Sequence, residues 1–291
     1  MNPEHRPSIL IIGGGRAGAS FAHHLYINDL PIISLVETSS SRLKYIRNKF
    51  NWPFLHKQLT PDMLDKSDII IIAVRDDDIA EEARKLAELK KNWKNKIVIH
   101  LSGASSSSVL QPLQKKEAMT ASLHPIYSFS SKPDENLSLD QLWFTLEGAP
   151  GISDALATRL GLDMSRVIEV DYMQKLAVHI ACVFYANFFS VLADMSQEIL
   201  QNIPPLSGHN INTFKPLILS TLDNMIQNGI KNALTGPISR GDKETILHHL
   251  HFLDEHHPNL RKAYQFLGKR LAEISNLSQE DKKQIIERLD S

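Results

Sequence analysis

Gly13, Gly15 and Gly18 are spaced as G-x-G-x-x-G, with Gly14, Arg16 and Ala17 filling the turn. A turn of this kind cradles a pyrophosphate. One glycine makes the tight turn, one lets the backbone approach the phosphates, and one lets the following helix pack closely on the strand. The helix N-terminus adds free N–H groups and a partial positive charge. The pattern is weak by itself, and a ligand-free glycine turn is the alternative. Here it follows the apolar run Ser8–Ile12 and opens a helical pattern over 16–28, the full context the motif requires. Glu37 ends the next apolar run, about 20 residues on, where an acid accepts the hydroxyls of an adenosine ribose. A carboxylate there repels a 2′-phosphate and favours NAD over NADP. Thr38, Ser39, Ser40, Ser41 and Arg42 are the opposing feature, a segment able to hold a phosphate.

A second group of residues suits proton transfer. Lys175 and His179 are spaced i, i+4, so on a helix they lie on one face, about 40° apart. His124 follows an apolar strand pattern, and a histidine there can donate to a carbonyl or shuttle a proton near neutral pH. Each has a plainer reading: Lys175 as a surface residue, His179 as a satisfied core histidine, His124 as a turn histidine. Asn187, two turns beyond His179, is a candidate substrate contact or an interhelical hydrogen bond. Thr235, Gly236, Pro237 and Arg240 form a break between helices and are candidate substrate contacts: Thr235 could hydrogen-bond substrate, Arg240 could clamp a carboxylate or pair with an acid, and Asp242 could cap a helix. His248, His249, His251, His256 and His257 invite a metal reading, but the spacing H-E-x-x-H is absent and a solvated helix end explains them, so no metal site is expected. Cys182 reads as an inert packed thiol. Trp52, Trp93 and Trp143 suggest no stacking platform.

These residues must be positioned by regular elements. Apolar runs at Ser8–Ile12, Ile32–Val36, Ile69–Val74, Lys96–Leu101 and Ala118–Leu123, with a weak one at Trp52–Leu55, alternate with helical patterns. That alternation predicts a parallel sheet with crossover helices. Ligands of such a sheet bind beyond the carboxyl ends of its strands. Val74, Arg75 and Asp76 would then line the cofactor, and Ser102 and Gly103 would approach its nicotinamide side. Two further strands are expected at Leu142–Leu146 and Arg166–Val170, with a helix over 153–162 between them. From Tyr172 the character changes: a helix to about Gln201, then helical patterns over 211–228, 242–255, 259–275 and 278–289. The expected division is 1–170 for the sheet domain and 171–291 for a helical substrate and dimerisation domain.

The chain has 291 residues, 42% hydrophobic and 22% charged, with a formal net charge of -1. That is an ordinary globular mix, and near-neutral charge argues against nucleic acid or an anionic membrane as main partner. One cysteine excludes an internal disulfide framework. The N-terminus lacks the apolar core of a signal peptide. The stretch Val178–Ala193 is interrupted by His179 and Asn187 and reads as too short and polar to span a bilayer. A soluble, cytoplasmic protein is expected.

The chain resembles a bacterial family that pairs a Rossmann-like N-terminal domain with a helical C-terminal domain of unknown function. That family is itself similar to pyrroline-5-carboxylate reductase, ketopantoate reductase and 6-phosphogluconate dehydrogenase. The resemblance covers nearly the whole chain. Its marks are Gly13–Gly18, Ala73-Val74-Arg75-Asp76-Asp77, His100-Leu101-Ser102-Gly103, Leu123-His124-Pro125, the His179 to Asn187 helix, and the stretch from Leu234 to Asp242. The family usually carries a basic residue where Thr38 stands, a departure that bears on NADP preference. The resemblance implies an α/β Rossmann-like domain followed by an all-α domain like the C-terminal domain of 6-phosphogluconate dehydrogenase. Related dehydrogenases place a lysine and a polar partner one turn apart at the start of the interdomain helix, and Lys175 and His179 look similar. A homodimer through the helical domain is expected by analogy.

The resulting expectation is an NAD(P)-dependent oxidoreductase, with NAD favoured. Hydride would pass between nicotinamide and a small carbonyl, imine or hydroxy-acid substrate in an interdomain cleft, the substrate being potentially a carboxylate. Lys175, His179 or His124 would handle the proton. The rival from another class is a non-catalytic dinucleotide sensor or scaffold, which needs no convergent proton donor. A third is a reductase using deazaflavin, as some related reductases do.

Overall fold

The computed structural model describes residues 7–130, 138–160, 162–201 and 203–291. Eight strands form one sheet: β1 (Ile9–Ile12), β2 (Ile32–Val36), β3 (Leu55–His56), β4 (Ile69–Ile72), β5 (Ile97–His100), β6 (Met119–Pro125), β7 (Phe144–Gly148) and β8 (Val167–Glu169). Their order is β3-β2-β1-β4-β5-β6-β7-β8. The first six in this row are parallel, in the order of a dinucleotide-binding fold, while β7 runs antiparallel to β6 and β8 parallel to β7.

The central strands have no polar face. Ile69, Ile70, Ile71 and Ile72 are all wholly buried. Odd-numbered positions such as Ile9, Ile11, Ile69 and Ile71 pack on one side, and Leu10, Ile12, Ile70 and Ile72 on the other. A sheet covered on both faces requires apolar residues at every position, which is why these strands read as continuous runs without alternation. Burying each such side chain contributes about 1.5–3 kcal/mol.

The crossovers are helices whose ends are marked in the sequence. They are α1 (Arg16–Ile27), α2 (Ser40–Phe50), α3 (Pro61–Lys66), α4 (Asp76–Leu89) and the short α5 (Gln111–Gln114). Ser39 caps α2 by accepting from the N–H of Arg42, and Thr60 caps α3, with Pro61 as its first residue. Trp52 is not isolated: it stacks with Phe50 at 4.4 Å, with Phe54 at 5.3 Å and with His23 at 5.9 Å between ring centroids. The approach to β3 at the edge of the sheet is therefore built on an aromatic stack of alternate residues, with His23 added from α1.

After α6 (Ile152–Leu160) and β8 the chain becomes helical. A helix of 30 residues, Tyr172–Gln201, contains α7 (Tyr172–Cys182), a π-turn over Val183–Phe188, and α8 (Phe189–Gln201). By length and composition it could cross a membrane; the interruptions at His179 and Asn187 do not shorten it as the sequence reading supposed. There follow α9 (Ile211–Asn228), α10 (Pro237–Arg240), α11 (Lys243–His256), α12 (Pro258–Ile274) and α13 (Gln279–Asp290). Ser278 caps α13, accepting from the N–H of Asp281. Ile238, Ile246, Leu250, Ala272, Ile285 and Leu289 form the core of this helical part.

The chain divides into two compact units at Asn187/Phe188. Residue 170 marks the change from strands to helices, but α7 stays with the first unit because it packs on β7 through the buried Lys175.

Gly18 makes the tightest approach in the sheet unit. A Cβ there would stand 2.0 Å from the Gly13 carbonyl oxygen and 3.0 Å from the Ala73 Cβ. Gly18→Ala is expected to destabilise the protein by about 1–3 kcal/mol, measured by urea denaturation. An unchanged midpoint would mean the helix does not depend on this contact.

Candidate active site

The glycine turn opens on a groove of about 1010 Å³ lined by Gly13, Gly15, Arg16, Ala17, Glu37, Thr38, Arg42, Lys57, Val74 and Arg75. Gly13 has φ +103°, and a Cβ there would meet the Ala73 carbonyl at 2.5 Å, so the turn's shape requires glycine. Gly14 lies under the groove: its N–H is bound by Glu37 Oε2 at 3.0 Å. Glu37 Oε1 accepts the Ser39 N–H at 2.7 Å, and Arg42 Nη1 stands 3.8 Å from the same carboxylate. Asp76 belongs to the acidic first turn of α4, where carboxylates favour the helix N-terminus, rather than to the groove wall. Groove size, glycine backbone and a helix start together fit a dinucleotide.

The proton-handling candidates separate. His124, at the end of β6, and His179, on α7, face one another with ring centroids 5.3 Å apart at 80°. Gly103 lies against both: a Cβ there would stand 2.5 Å from His179 Nδ1 and 2.8 Å from His124 Nε2. The buried Nδ1 atoms of both histidines have no hydrogen-bond partner. Unpaired buried polar atoms are costly, and here they border a pocket of about 290 Å³ that Tyr127, Ser128, Cys182 and Asn187 also line. Burial pushes the Cys182 thiol up, in keeping with an unreactive sulfur.

Lys175 is on the same helix but turned away from water. Its side chain is 0% exposed, with Nζ 2.8 Å from Glu147 Oε2 and bonded to the Ser105 carbonyl. Burial pulls the Lys175 pKa down and Glu147 opposes this. Burial also raises Glu147, but Lys175 and Ser107 outweigh it and hold the carboxyl below its ordinary value. We take the pair as ionised, because the carboxylate has donors from Lys175, Ser106 and Ser107. Sequence reading had no place for Glu147; a lone acid ending an apolar strand, and a lysine in a greasy helix, are each half of the signal.

His100 was also missed as a site residue. It is wholly buried at the end of β5 and its Nδ1 accepts the Ser102 N–H at 3.2 Å. Ser102 Oγ in turn accepts from Ala104 and Ser105.

Thr235, Gly236 and Arg240 line a separate pocket of about 320 Å³ in the second unit with Lys231, Asn232 and Asn276, and Pro237 starts α10 beside it. Arg240 is paired with Asp242 at 2.6 Å, so the acid-pairing alternative is the one observed, and Asp242 makes no side-chain cap bond to α11. Among the clustered histidines, His249 bonds Tyr264 at 2.8 Å and His251 lies 3.3 Å from Glu255. Among the described residues no group of three or more His, Cys, Asp or Glu suits a metal ion.

Burial, reinforced by the Lys175 charge, lowers His100 from 6.5 to about 4, and burial with His179 and Lys175 does the same to His124. Both are neutral at pH 7. Unfolding restores the ordinary value, so below 6.5 the unfolded chain binds protons that the folded chain refuses. The stability from this source is complete above pH 6.5 and is lost as pH falls through about 4. The melting temperature is expected to drop across that window, and His100→Gln to flatten the drop. An identical slope in the variant would show that His100 does not carry the effect.

Comparisons with known proteins agree with this architecture. Residues 3–125 match a Rossmann-like domain and residues 142–271 match DUF2520, a domain of unknown function. No curated protein matches the chain. A candidate NADP oxidoreductase from Bacteroides fragilis is 21% identical, with a TM-score of 0.74 over 91% of this chain and 98% of that one. Protein TM1727 from Thermotoga maritima is 23% identical, with a TM-score of 0.71 over the same shares. An imine reductase from Myxococcus stipitatus in complex with NADP+ is 14% identical, with a TM-score of 0.60 over 92% and 94%. At these identities the likeness is one of fold. The chain therefore joins a Rossmann-like domain to a DUF2520 domain, the pairing its sequence resembles.

Proposed function

We propose that the protein is a nicotinamide-dinucleotide-dependent oxidoreductase acting on a small carbonyl or imine, or on the corresponding alcohol or amine in reverse. The observation that carries this reading is the glycine turn at the carboxyl end of β1, on the same sheet edge as the unpartnered His124 and His179. The similar folds of a candidate NADP oxidoreductase and of an imine reductase bound to NADP+ support it. The glycine turn and the start of α1 would hold the pyrophosphate. A reduced nicotinamide, when bound, supplies a hydride. His124, held neutral, would orient the acceptor by a ring hydrogen bond, and His179 would deliver the proton that the acceptor's oxygen or nitrogen takes up. A sensor would not need two imidazoles facing one pocket.

For the 2′-phosphate that distinguishes NADP from NAD, we weigh Glu37 against the cations beside it. Both Glu37 oxygens accept backbone N–H groups, of Gly14 and Ser39, and so are already engaged where ribose hydroxyls would need them, while Arg42 and Lys57 line the groove with exposed cations. We therefore take NADP(H) as the preferred cofactor.

Calorimetric titration with NADPH and NADH tests the reading. Tighter NADPH, weakened by Arg42→Ala, is expected; tighter NADH would return Glu37 to its ribose role, and no binding of either would remove the oxidoreductase reading. Once turnover is found in a carbonyl and imine panel, His179→Ala should lower kcat by about 10²–10⁴-fold with dinucleotide affinity unchanged. Binding without any turnover would favour the sensor.

The partner is taken to be a second copy of the chain. Neither α8 nor α9 has a single buried residue, although Phe189, Val191 and Leu192 on one and Phe214, Leu217 and Leu222 on the other are large and apolar. Helices gain their stability chiefly by burying such a face. A symmetric dimer covers the same patch on both copies. Light scattering should give twice the chain mass, and Leu217→Lys should shift it toward the monomer. A monomeric wild type, or one that partitions into lipid vesicles, would contradict this.

A further inference from the structure

We propose that Glu147 is a positioning residue, which holds Gly103 and His179 in place through the serine run Ser105–Ser107 and through Lys175. The kinetic part of this inference rests on the oxidoreductase reading, and the spectroscopic part does not.

Two ties leave the Glu147 carboxylate. The first runs to the loop after β5: Oε2 accepts the Ser107 N–H at 2.8 Å, and Oε1 accepts the Ser107 hydroxyl at 2.6 Å and the Ser106 hydroxyl at 3.2 Å. That loop is short and internally braced, since Ser102 Oγ accepts from Ala104 and Ser105 and the Ser102 carbonyl accepts from Ser122 Oγ at 2.9 Å. Gly103 sits inside the brace, directly against both histidine rings.

The second tie runs to α7. Glu147 Oε2 pairs with Lys175 Nζ at 2.8 Å, and the same ammonium also reaches the Ser105 carbonyl. One helical turn on from Lys175 is His179. The two ties thus close a ring in which strand β7, the serine loop and α7 meet at one carboxylate. His124 joins from the sheet itself, two residues beyond Ser122, which is the register partner of Glu147.

The chemistry explains the residue types. A carboxylate can accept several bonds at once, while serine hydroxyls and backbone N–H groups supply donors without adding charge. Lysine reaches from the helix and neutralises the buried anion. The serine run is therefore a built receptor for Glu147 as well as a polar turn. It also accounts for Lys175, whose seclusion makes it a tether in place of a proton donor.

The test uses the full-length protein and Glu147→Gln, which keeps the shape and removes the charge. The Gly103 amide and the His124 and His179 ring signals are followed by NMR. All three should move, although none of them touches residue 147. With a turned-over substrate, kcat should fall about 10- to 100-fold, with dinucleotide affinity unchanged. Changes confined to Ser105–Ser107 and Lys175, with Gly103 and both histidines unmoved, would overturn the proposal. Should Glu147→Gln fail to fold, Lys175→Met cuts the helix tie alone. It should displace the His179 signals, and unmoved His179 signals there would equally overturn it. A wild type with no turnover on any substrate would count against the oxidoreductase reading, leaving the spectroscopic outcome to decide the positioning role.

Discussion

An ammonium with no solvent exposure cannot stand without an anion, and the pairing of Lys175 with Glu147 meets that constraint at the point where three elements converge. Taking two charges from water costs several kcal/mol per ion unless their remaining bonding capacity is used. The serine loop after β5 uses it. The consequence is geometric: strand β7, the loop that follows β5 and the first turns of the long helix are fixed relative to one another by one carboxylate. Such a junction does little for net stability compared with an apolar cluster of the same volume. Its effect is on placement, and what it places are Gly103 and His179.

The rest of the first unit serves the same edge. The central apolar strands, packed on both faces, give a rigid layer, and the glycine turn, His100 and His124 stand at its carboxyl ends. Glycines at positions 13 and 18 let a strand, a turn and a helix approach within distances that a Cβ forbids. His100 and His124 remain neutral there because burial and nearby positive charge penalise their protonation. The second unit has a small core of its own, yet α8 and α9 hold their apolar side chains outward. That imbalance is what a self-complementary surface would correct.

Much of this was legible in the sequence, for physical reasons that can be named. The runs at 9–12, 69–72 and 97–100 announced buried parallel strands. The helices over 211–228 and 278–289 fell within a residue or two of expectation. The glycine turn carried its own context. What was hidden depends on contacts between distant residues. Glu147 lies 28 residues from Lys175 and 40 from Ser107, and no periodicity links them. Lys175 stays open between proton handling and a surface position in the sequence, since helical spacing gives a face but not what covers it. Trp52 suggests no stacking platform when only the tryptophans are compared; its partners are Phe50 and Phe54, two residues to either side, and His23 from α1. The division of the chain at Asn187 follows from packing that composition cannot show.

On the proposed reading, a nicotinamide ring binds beside Gly103 and the His124–His179 pair. The direct measurement is a nuclear Overhauser experiment on the protein saturated with reduced dinucleotide, observing the nicotinamide C4 protons. Transfer to the His179 and His124 ring protons is the predicted result. A bound dinucleotide whose nicotinamide shows transfer only to other residues would contradict it.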